Sequence, residues 1–303
     1  MMEGTANRRE QRIRNMGRKF RTENKCIENA NKPALVSNDV LKSSDFTFSK
    51  SFGIERVGDS GELLLAKSKQ NKMEQYIVKH EYTDCACNEF VYYKLANFLG
   101  IKTPAVKLFE IVAGEKRKYF KTEFVAGIEY LNIIKENFSV ANEEQVKNPQ
   151  DYFKFKALYD MFSEEDSFEV VLDEQGYIYK IDNTAAFNLS NYYLDNVGIE
   201  FPPDVLPDSK EYMRKALMKL SKIDVDVSFY TKKFTQIRQS HGEVAAQYYL
   251  EPFRKIIEMP ACYVDEFLMV LCYFYADIVG DYYKAYIKNC KEKSSEFLNA
   301  LRR

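Results

Sequence analysis

The sequence predicts an α+β protein with two lobes, a small antiparallel sheet lobe with one helix followed by a larger, mainly helical lobe. Apolar and polar residues alternate in short segments between residues 46 and 124, as strands with one buried face require. Beyond Pro207, apolar residues recur at helical spacing almost to the end of the chain. The chain has 303 residues, 46% hydrophobic and 29% charged, so it can bury the core that this fold needs.

The predicted organisation has four segments. A basic, polar arm covers residues 1–45, and the sheet lobe covers 46–124. The helical lobe with one embedded hairpin covers 125–245, and its helical extension covers 246–303. The net charge of −1 argues against nucleic-acid binding over the whole surface. No run of about 20 apolar residues and no apolar leader occurs, so we expect a cytoplasmic protein without a transmembrane helix, its cysteines reduced.

Turn residues divide the first lobe into elements. The stretch from Gly58 to Gly61 is a strong turn signal between two strand patterns, and Gly100 closes the predicted helix. The predicted order is β-β-β-α-β-β, with strand patterns at 46–48 and 51–57, 62–67, 74–79, 105–112 and 118–124, and the helix at 88–99.

A hairpin in the second lobe ends in a carboxylate. Short strands at 169–172 and 177–181 flank a turn, and the second strand leads into Asp182. A carboxylate at the end of a strand is a common way to hold a divalent cation against a phosphate. An ordinary turn after a strand gives the same pattern, so the interpretation depends on residues upstream.

Three upstream features could bind phosphates. Gly58 and Gly61 allow backbone N–H groups to approach a phosphate closely. Lys79 lies on the third strand, and Glu89 lies early in the following helix. Each also has a structural interpretation, as a hairpin turn, a strand lysine and a carboxylate favoured by the helix dipole.

In this order the pieces resemble the atypical branch of the protein-kinase-like fold, the HipA-like, FAM20-like and phosphoinositide-kinase-like proteins, over roughly residues 46–240. Tyr76-Ile77-Val78-Lys79 resembles the V-A-I-K strand, and the helix beginning Asn88-Glu89 resembles the sequence E-x-x-x-Y-x-L-A. Residues 99–104 resemble L-G-I-x-x-P. Residues 122–127 resemble the hinge E-F-V-x-G, which implies that Glu123 and Val125 contact the adenine of ATP.

The resemblance implies an ATP-dependent kinase that transfers the γ-phosphoryl group to protein Ser or Thr, or to itself. Lys79 and Glu89 would orient the phosphates, and Glu169 and Asp182 would hold Mg²⁺ or Mn²⁺. The H-R-D sequence of typical kinases is missing from residues 163–169. The residue that positions the acceptor hydroxyl therefore stays open between Glu164 and Asp166, and a solvated acidic turn is the other interpretation of this run.

Two alternatives keep the fold. An enzyme that transfers AMP or glutamate would use the same metal and phosphate apparatus. A pseudokinase or adaptor would bind ATP or a phosphoinositide and signal through its surface, and the altered catalytic loop favours it. The apolar, aromatic-rich segments after residue 246 are interpreted as lobe core, with a helix that faces a membrane or partner as the alternative.

The N-terminal arm carries a dense basic cluster. It fits a solvated arm or a site for an inositol phosphate or a phosphoinositide headgroup, with nucleic acid less favoured. Kinases with a remodelled catalytic loop and a basic patch occur among bacterial effectors, some of which are inactive until they bind a host inositol polyphosphate. The resemblance thus implies inositol hexakisphosphate as an activator and, for an effector, secretion into the host cytosol. The candidate anion-binding residues are Arg8, Arg12, Arg14, Arg18 and Lys19.

Overall fold

A six-stranded sheet forms the first lobe. The computed structural model describes residues 38–49, 63–79, 83–111, 124–139, 146–164, 167–188, 218–219, 221–223, 225–274 and 277–302. The strands are β1 (Val40–Lys42), β2 (Phe46–Ser49), β3 (Leu63–Ser68), β4 (Gln75–Lys79), β5 (Val106–Glu110) and β6 (Phe124–Glu129). Their order is β1-β5-β6-β4-β3-β2. Only the β1–β5 pair is parallel among these described strands.

One helix packs on this sheet. Helix α1 (Thr83–Phe98) lies against β5 and β6 and follows β4 in the chain. Its side chains are buried on nearly every side, which explains why it lacks a polar face. Strand β4 does alternate, with Tyr76 and Val78 buried, so Lys79 falls on its less buried face.

A small hairpin sheet begins the second lobe. Strand β7 (Ile133–Lys135) pairs with β8 (Val170–Asp173), which pairs with β9 (Ile178–Lys180). Helix α2 (Asp151–Met161) precedes this hairpin. Asn148 connects the two, because its amide accepts from the N–H of Ile178 at 2.8 Å and donates to the carbonyl of Ile178 at 3.0 Å. Helix α2 is therefore fixed against β9.

The described residues of the second lobe form three further helices: α3 (Val227–Glu258), α4 (Ala261–Phe274) and α5 (Asp277–Ala300). The Asp226 side chain caps α3 by accepting from the N–H of Ser228. Helix α3 is broken at Gly242, whose φ of +86° is outside the helical region. It packs against α2 and α5, while α4 packs against α5 and α1. The α+β class and the division into a sheet lobe and a mainly helical lobe are thus confirmed.

Several boundaries differ from those predicted. The sheet begins before residue 46, because Val40–Lys42 adds a strand beside β5. Helix α1 begins at Thr83, five residues before the predicted start. Of the strand predicted at 118–124 only Phe124 lies within the described residues, and β6 runs from there to Glu129, so the lobe boundary predicted at 124 falls inside a strand. The strand pattern predicted at 51–57 lies outside the described residues.

Strand β6 contains a glycine that no other residue could replace without movement. A Cβ atom built on Gly127 would lie 2.2 Å from Cε2 of Phe109. Phe109 is fully buried on β5 and packs edge-on against Phe46 and Tyr76. Gly127 therefore allows the phenyl ring at the centre of the small core to lie against the β6 backbone.

Candidate active site

Three charged side chains from distant parts of the chain meet at the end of β4. The Nζ atom of Lys79 lies 3.2 Å from Oε1 of Glu89 and 2.5 Å from Oδ1 of Asp182. Glu89 is almost completely buried, with 2% of its side chain exposed, whereas 36% of the Asp182 side chain is exposed. The cluster therefore has a buried end at Glu89 and an accessible end at Asp182.

Asp182 lies just beyond β9, in a loop with an unusual backbone. Its φ is +57°, which is the left-handed region that non-glycine residues seldom adopt. Burial acts to raise the pKa of Asp182, but the Lys79 ammonium and the hydroxyl of Thr184, which donates to Oδ1 at 3.0 Å, outweigh it. The pKa of Asp182 is therefore lowered, and its carboxylate is ionised at neutral pH.

The first turns of α1 are bonded directly to this loop. Glu89 accepts from the backbone N–H and from the side-chain amide of Asn183, both at 3.1 Å. Asn88 donates to the carbonyl of Thr184 at 2.6 Å and accepts from the Tyr283 hydroxyl at 2.6 Å. Glu89 thus positions Lys79 and the Asp182 loop together. Asn88 and Asn183 were not among the predicted site residues, although an asparagine stands next to each of the two predicted carboxylates in the sequence.

A second ion pair lies behind Asp182. Lys180 and Glu164 are 2.6 Å apart, and neither side chain has any exposed surface. Burial raises the pKa of Glu164 to about 7, although the Lys180 ammonium acts to lower it. Lys180 was not among the predicted site residues, and Glu164 was one of two candidates, with Asp166, for positioning the acceptor hydroxyl. In the structure Glu164 faces Lys180 inside the lobe, out of contact with solvent.

Glu169 lies beside the loop rather than in the charged cluster. Its backbone carbonyl accepts from the N–H of Ile181 at 3.2 Å, and its carboxylate accepts from the Ser167 hydroxyl at 2.9 Å. Within the described residues, no group of three or more His, Cys, Asp or Glu side chains could hold a metal ion. Mg²⁺ on a nucleotide needs only one or two carboxylates with phosphate oxygens and waters. An ionised, partly exposed Asp182 fits that donor set.

The hinge was predicted at residues 122–127, where a strand was expected to end. Strand β6 ends further along the chain. Val125 is the second residue of β6, where it is buried and paired with Phe109 of β5. The strand ends at Glu129, and residues 130–132 connect it to β7. The register pairs Ile77 with Ile128, two residues before Lys79 on β4. Because β4 and β6 run antiparallel, the end of β6 at Glu129 lies opposite Tyr76, three residues before Lys79, and the N–H of Tyr130 donates to the carbonyl of Gln75 at 3.0 Å. The backbone N–H of Leu131 donates to no acceptor in the described part of the chain, so it could meet a flat ring edge.

The other predicted site residues lie outside the described residues. They are Gly58, Gly61, Glu123, Asp166, Arg8, Arg12, Arg14, Arg18 and Lys19.

A similarity to a known structure establishes the type of fold. The crystal structure of the Helicobacter pylori proinflammatory kinase CtkA matches with a TM-score of 0.53 and 10% sequence identity, over 87% of this chain and 98% of that chain. No family model and no curated protein matches the sequence. At this identity the likeness concerns the fold alone, so this chain has a bilobal kinase-like fold.

A helix that spans a membrane needs about 20 predominantly apolar residues. Among the described residues, none forms a helix that is both long enough and apolar enough to span one.

Proposed function

We propose that this protein is an atypical ATP-dependent kinase that transfers the γ-phosphoryl group to Ser or Thr of a protein, or to itself. The observation that carries the proposal is the convergence of Lys79, Glu89 and Asp182. Ten residues separate Lys79 from Glu89 and 103 separate it from Asp182. A lysine held by a buried glutamate next to an ionised aspartate is the arrangement that phosphoryl transfer requires.

Each residue of the cluster has a distinct task in this proposal. Lys79 contacts the phosphates with its ammonium while Glu89, itself held by Asn183, keeps it in place. Asp182 holds Mg²⁺ or Mn²⁺, which neutralises charge on the phosphate oxygens when bound. Glu169 is the candidate for a second ligand. Its carboxylate is bonded to Ser167 and would have to turn toward the cation.

The adenine is proposed to lie against residues 129–131. Glu129 ends β6 and pairs with Tyr76, three residues before Lys79, so these residues lie beside the first half of β4. This position takes the place of Glu123 and Val125, because Val125 is buried between neighbouring strands. A glycine turn containing Gly58 and Gly61 would cover the phosphates, as in the sequence-based prediction.

Asp166 is the better candidate for orienting the acceptor hydroxyl. Glu164 is fully buried and bonded to Lys180, so a protein substrate could reach its carboxylate only if the lobe opened. General-base contacts require hydrogen-bond distance to the substrate.

The basic arm with Arg8, Arg12, Arg14, Arg18 and Lys19 is proposed to bind inositol hexakisphosphate, on the strength of its charge.

The test is incorporation of label from γ-labelled ATP with Mg²⁺ or Mn²⁺, with and without inositol hexakisphosphate. Asp182→Asn and Lys79→Met should each lower incorporation about 100-fold or more, because removal of one pre-organised charge at a reacting centre typically costs that much. Lys284→Met is the matched control, since Lys284 forms an exposed ion pair with Asp265. Label that is independent of both site variants would contradict the proposal.

The burial of Glu164 favours one second candidate, a pseudokinase that binds nucleotide without transferring phosphate. Nucleotide binding that depends on Lys79, without label in any condition, would identify it. The same reactions with α-labelled ATP distinguish a third outcome, because AMP transfer leaves the α-phosphate on the protein and phosphoryl transfer does not.

A further inference from the structure

Lys180, the last residue of β9, is a fully buried cation to which the proposed function gives no task. Its Nζ atom lies 2.6 Å from Oε1 of Glu164 and 2.9 Å from the carbonyl of Ile181. Two longer contacts reach Oδ1 of Asn183 at 3.3 Å and the carbonyl of Asp182 at 3.4 Å. An ammonium has three donors, so these four acceptors occupy all of them.

Three of those acceptors belong to one short segment. Ile181, Asp182 and Asn183 follow the end of β9, where the ladder to β8 stops at the pair Val170 and Lys180. Asp182 adopts a left-handed backbone conformation there. A strained conformation persists only where the surroundings hold it. The contacts of the Lys180 ammonium with residues 181–183 supply that support.

Burying an ammonium is costly, and an apolar side chain of the same length would pack at the site with less loss of hydration. Glu164 provides the opposite charge that makes burial possible. An ion pair serving only to hold α2 against β9 would duplicate the bonds that Asn148 already makes between these elements. The contacts to residues 181–183 are what this lysine adds.

We propose that Lys180 is a positioning residue that fixes the backbone of residues 181–183, so that the Asp182 carboxylate faces Lys79 and a divalent cation. Lys180 forms no ion pair with the Asp182 carboxylate and acts through the backbone of the loop. Glu164 is its counter-charge, which explains why this glutamate lies inside the lobe. The cation-binding part of the inference rests on the proposed function.

The rival explanation is that the pair is purely structural, and one double variant separates the two. Lys180→Met alone would leave Glu164 buried without a partner and would destabilise the lobe under either explanation. Lys180→Met with Glu164→Gln removes both charges and conserves size. That double variant conserves the packing of both side chains but loses every hydrogen bond from the Lys180 ammonium to residues 181–183.

The experiment measures Mn²⁺ affinity by electron paramagnetic resonance on the full chain, with a non-hydrolysable ATP analogue present. Loss of a residue that orients a metal ligand commonly costs 10- to 100-fold in affinity. We expect at least a tenfold loss in the double variant. The loss should be less than about threefold in Glu164→Gln alone, because the amide oxygen can still accept a hydrogen bond from Lys180, which then still holds the loop. The control is Lys154→Met with Glu251→Gln, a partly buried pair between α2 and α3.

A second readout does not require metal. The backbone N–H of Asn183 donates to Glu89. The rate at which this N–H exchanges with solvent therefore reports how often the loop opens. It should exchange about tenfold faster or more in the double variant and at the wild-type rate in the control pair. A folded double variant with wild-type exchange and wild-type Mn²⁺ affinity would overturn the proposal.

Two outcomes separate this inference from the proposed function. If Asp182→Asn binds Mn²⁺ as well as wild type does, the metal role of Asp182 fails, and the exchange of Asn183 alone decides the role of Lys180. If the methionine double variant does not fold, Lys180→Gln with Glu164→Gln replaces it. The same thresholds then apply, and wild-type behaviour of that variant counts against the proposal.

Discussion

At the scale of single residues, Glu164 makes the folded protein sensitive to pH. Burial raises its pKa to about 7, from an ordinary value of 4.5. The folded protein therefore binds a proton at this position more tightly than the unfolded chain does. Because the folded-state pKa is the higher one, this group's contribution to stability is lost as the pH rises from about 4.5 to about 7.

Glu164→Gln should remove this pH dependence. We expect the free energy of unfolding of the wild type, measured relative to the variant, to fall between pH 5 and pH 7 and to become level above about pH 7. Urea unfolding at intervals of half a pH unit measures both proteins. Glu292→Gln serves as the control, because Glu292 is exposed and forms only a surface ion pair. Parallel curves for wild type and Glu164→Gln would show that Glu164 does not titrate in this range.

Gly127 is a second position where one residue decides local packing. Gly127→Ala should cost about 1–3 kcal/mol in the free energy of unfolding, since the added methyl group overlaps the Phe109 ring. Urea denaturation gives this value. In the double variant with Phe109→Leu, the smaller side chain leaves room for the methyl group, so the two costs should not add. Additive costs would mean that the clash is relieved elsewhere.

At the scale of elements, helix α1 connects the N-terminal strand to the site. Lys94, five residues after Glu89, lies 2.7 Å from Asp39 at the start of β1. Asp39 also lies 3.4 Å from Lys107 of β5. The hydroxyl of Tyr263 on α4 donates to the Lys94 carbonyl at 2.8 Å. The position of α1, and with it Glu89, is thus set from both lobes.

Asp39→Ala should loosen this arrangement and lower stability by about 1–2 kcal/mol, because it removes charge-assisted bonds that are partly shielded from water. The same variant should weaken nucleotide binding more than stability alone explains, since Glu89 is on the helix that it frees. Calorimetry of unfolding and of nucleotide binding measures the two effects. The charge reversal Asp39→Lys with Lys94→Asp should recover part of the loss, and an equal deficit in that variant would argue against the pair.

The sequence predicts some elements well for reasons that are local. The strands at 62–67, 74–79 and 105–112 match β3, β4 and β5 within two residues, because alternation and turn residues identify a half-buried strand. Lys79, Glu89 and Asp182 were selected by their order along such elements. Strand β1 was missed because three residues cannot display a period.

Other parts of the site depend on contacts that no local pattern reveals. The amide of Asn183 meets Glu89 across 94 positions of sequence, and Lys180 meets Glu164 across 16. A lysine in a short strand has the same local signature whether it faces water or a buried carboxylate. The end of β6 was misplaced because residues 122–127 resemble a hinge, whereas Gly127 lies within the strand, where the Phe109 ring leaves no room for a Cβ atom.

At the scale of the whole molecule, the C-terminal helix packs directly on the site. The Tyr282 hydroxyl donates to the carbonyl of Phe187, and the Phe187 ring meets the rings of Tyr283 and Tyr286 edge-on. These three tyrosines are fully buried. The interpretation of the aromatic-rich tail as lobe core is therefore confirmed for them. Helix α5 closes the second lobe and also supports the loop that carries Asp182.

Two buried tyrosines allow the contribution of this support to be measured. The Tyr283 hydroxyl donates to Asn88, which in turn holds the Thr184 carbonyl. The Tyr92 hydroxyl, equally buried on α1, has no hydrogen-bond partner among the described residues. Tyr283→Phe should therefore cost about 1–2 kcal/mol, whereas Tyr92→Phe should be neutral or slightly stabilising, because it removes a polar group that is buried without compensation.

The contrast extends to ligand binding. Loss of the Tyr283 hydroxyl leaves Asn88 free to turn away from Thr184, so nucleotide affinity in the presence of Mn²⁺ should fall severalfold in Tyr283→Phe and stay unchanged in Tyr92→Phe. Chemical denaturation and titration calorimetry on the same two proteins give both numbers. Equal stability losses in the two variants would mean that the cost arises from repacking of the ring. Unchanged affinity in Tyr283→Phe would mean that helix α5 stabilises the lobe without positioning its loop.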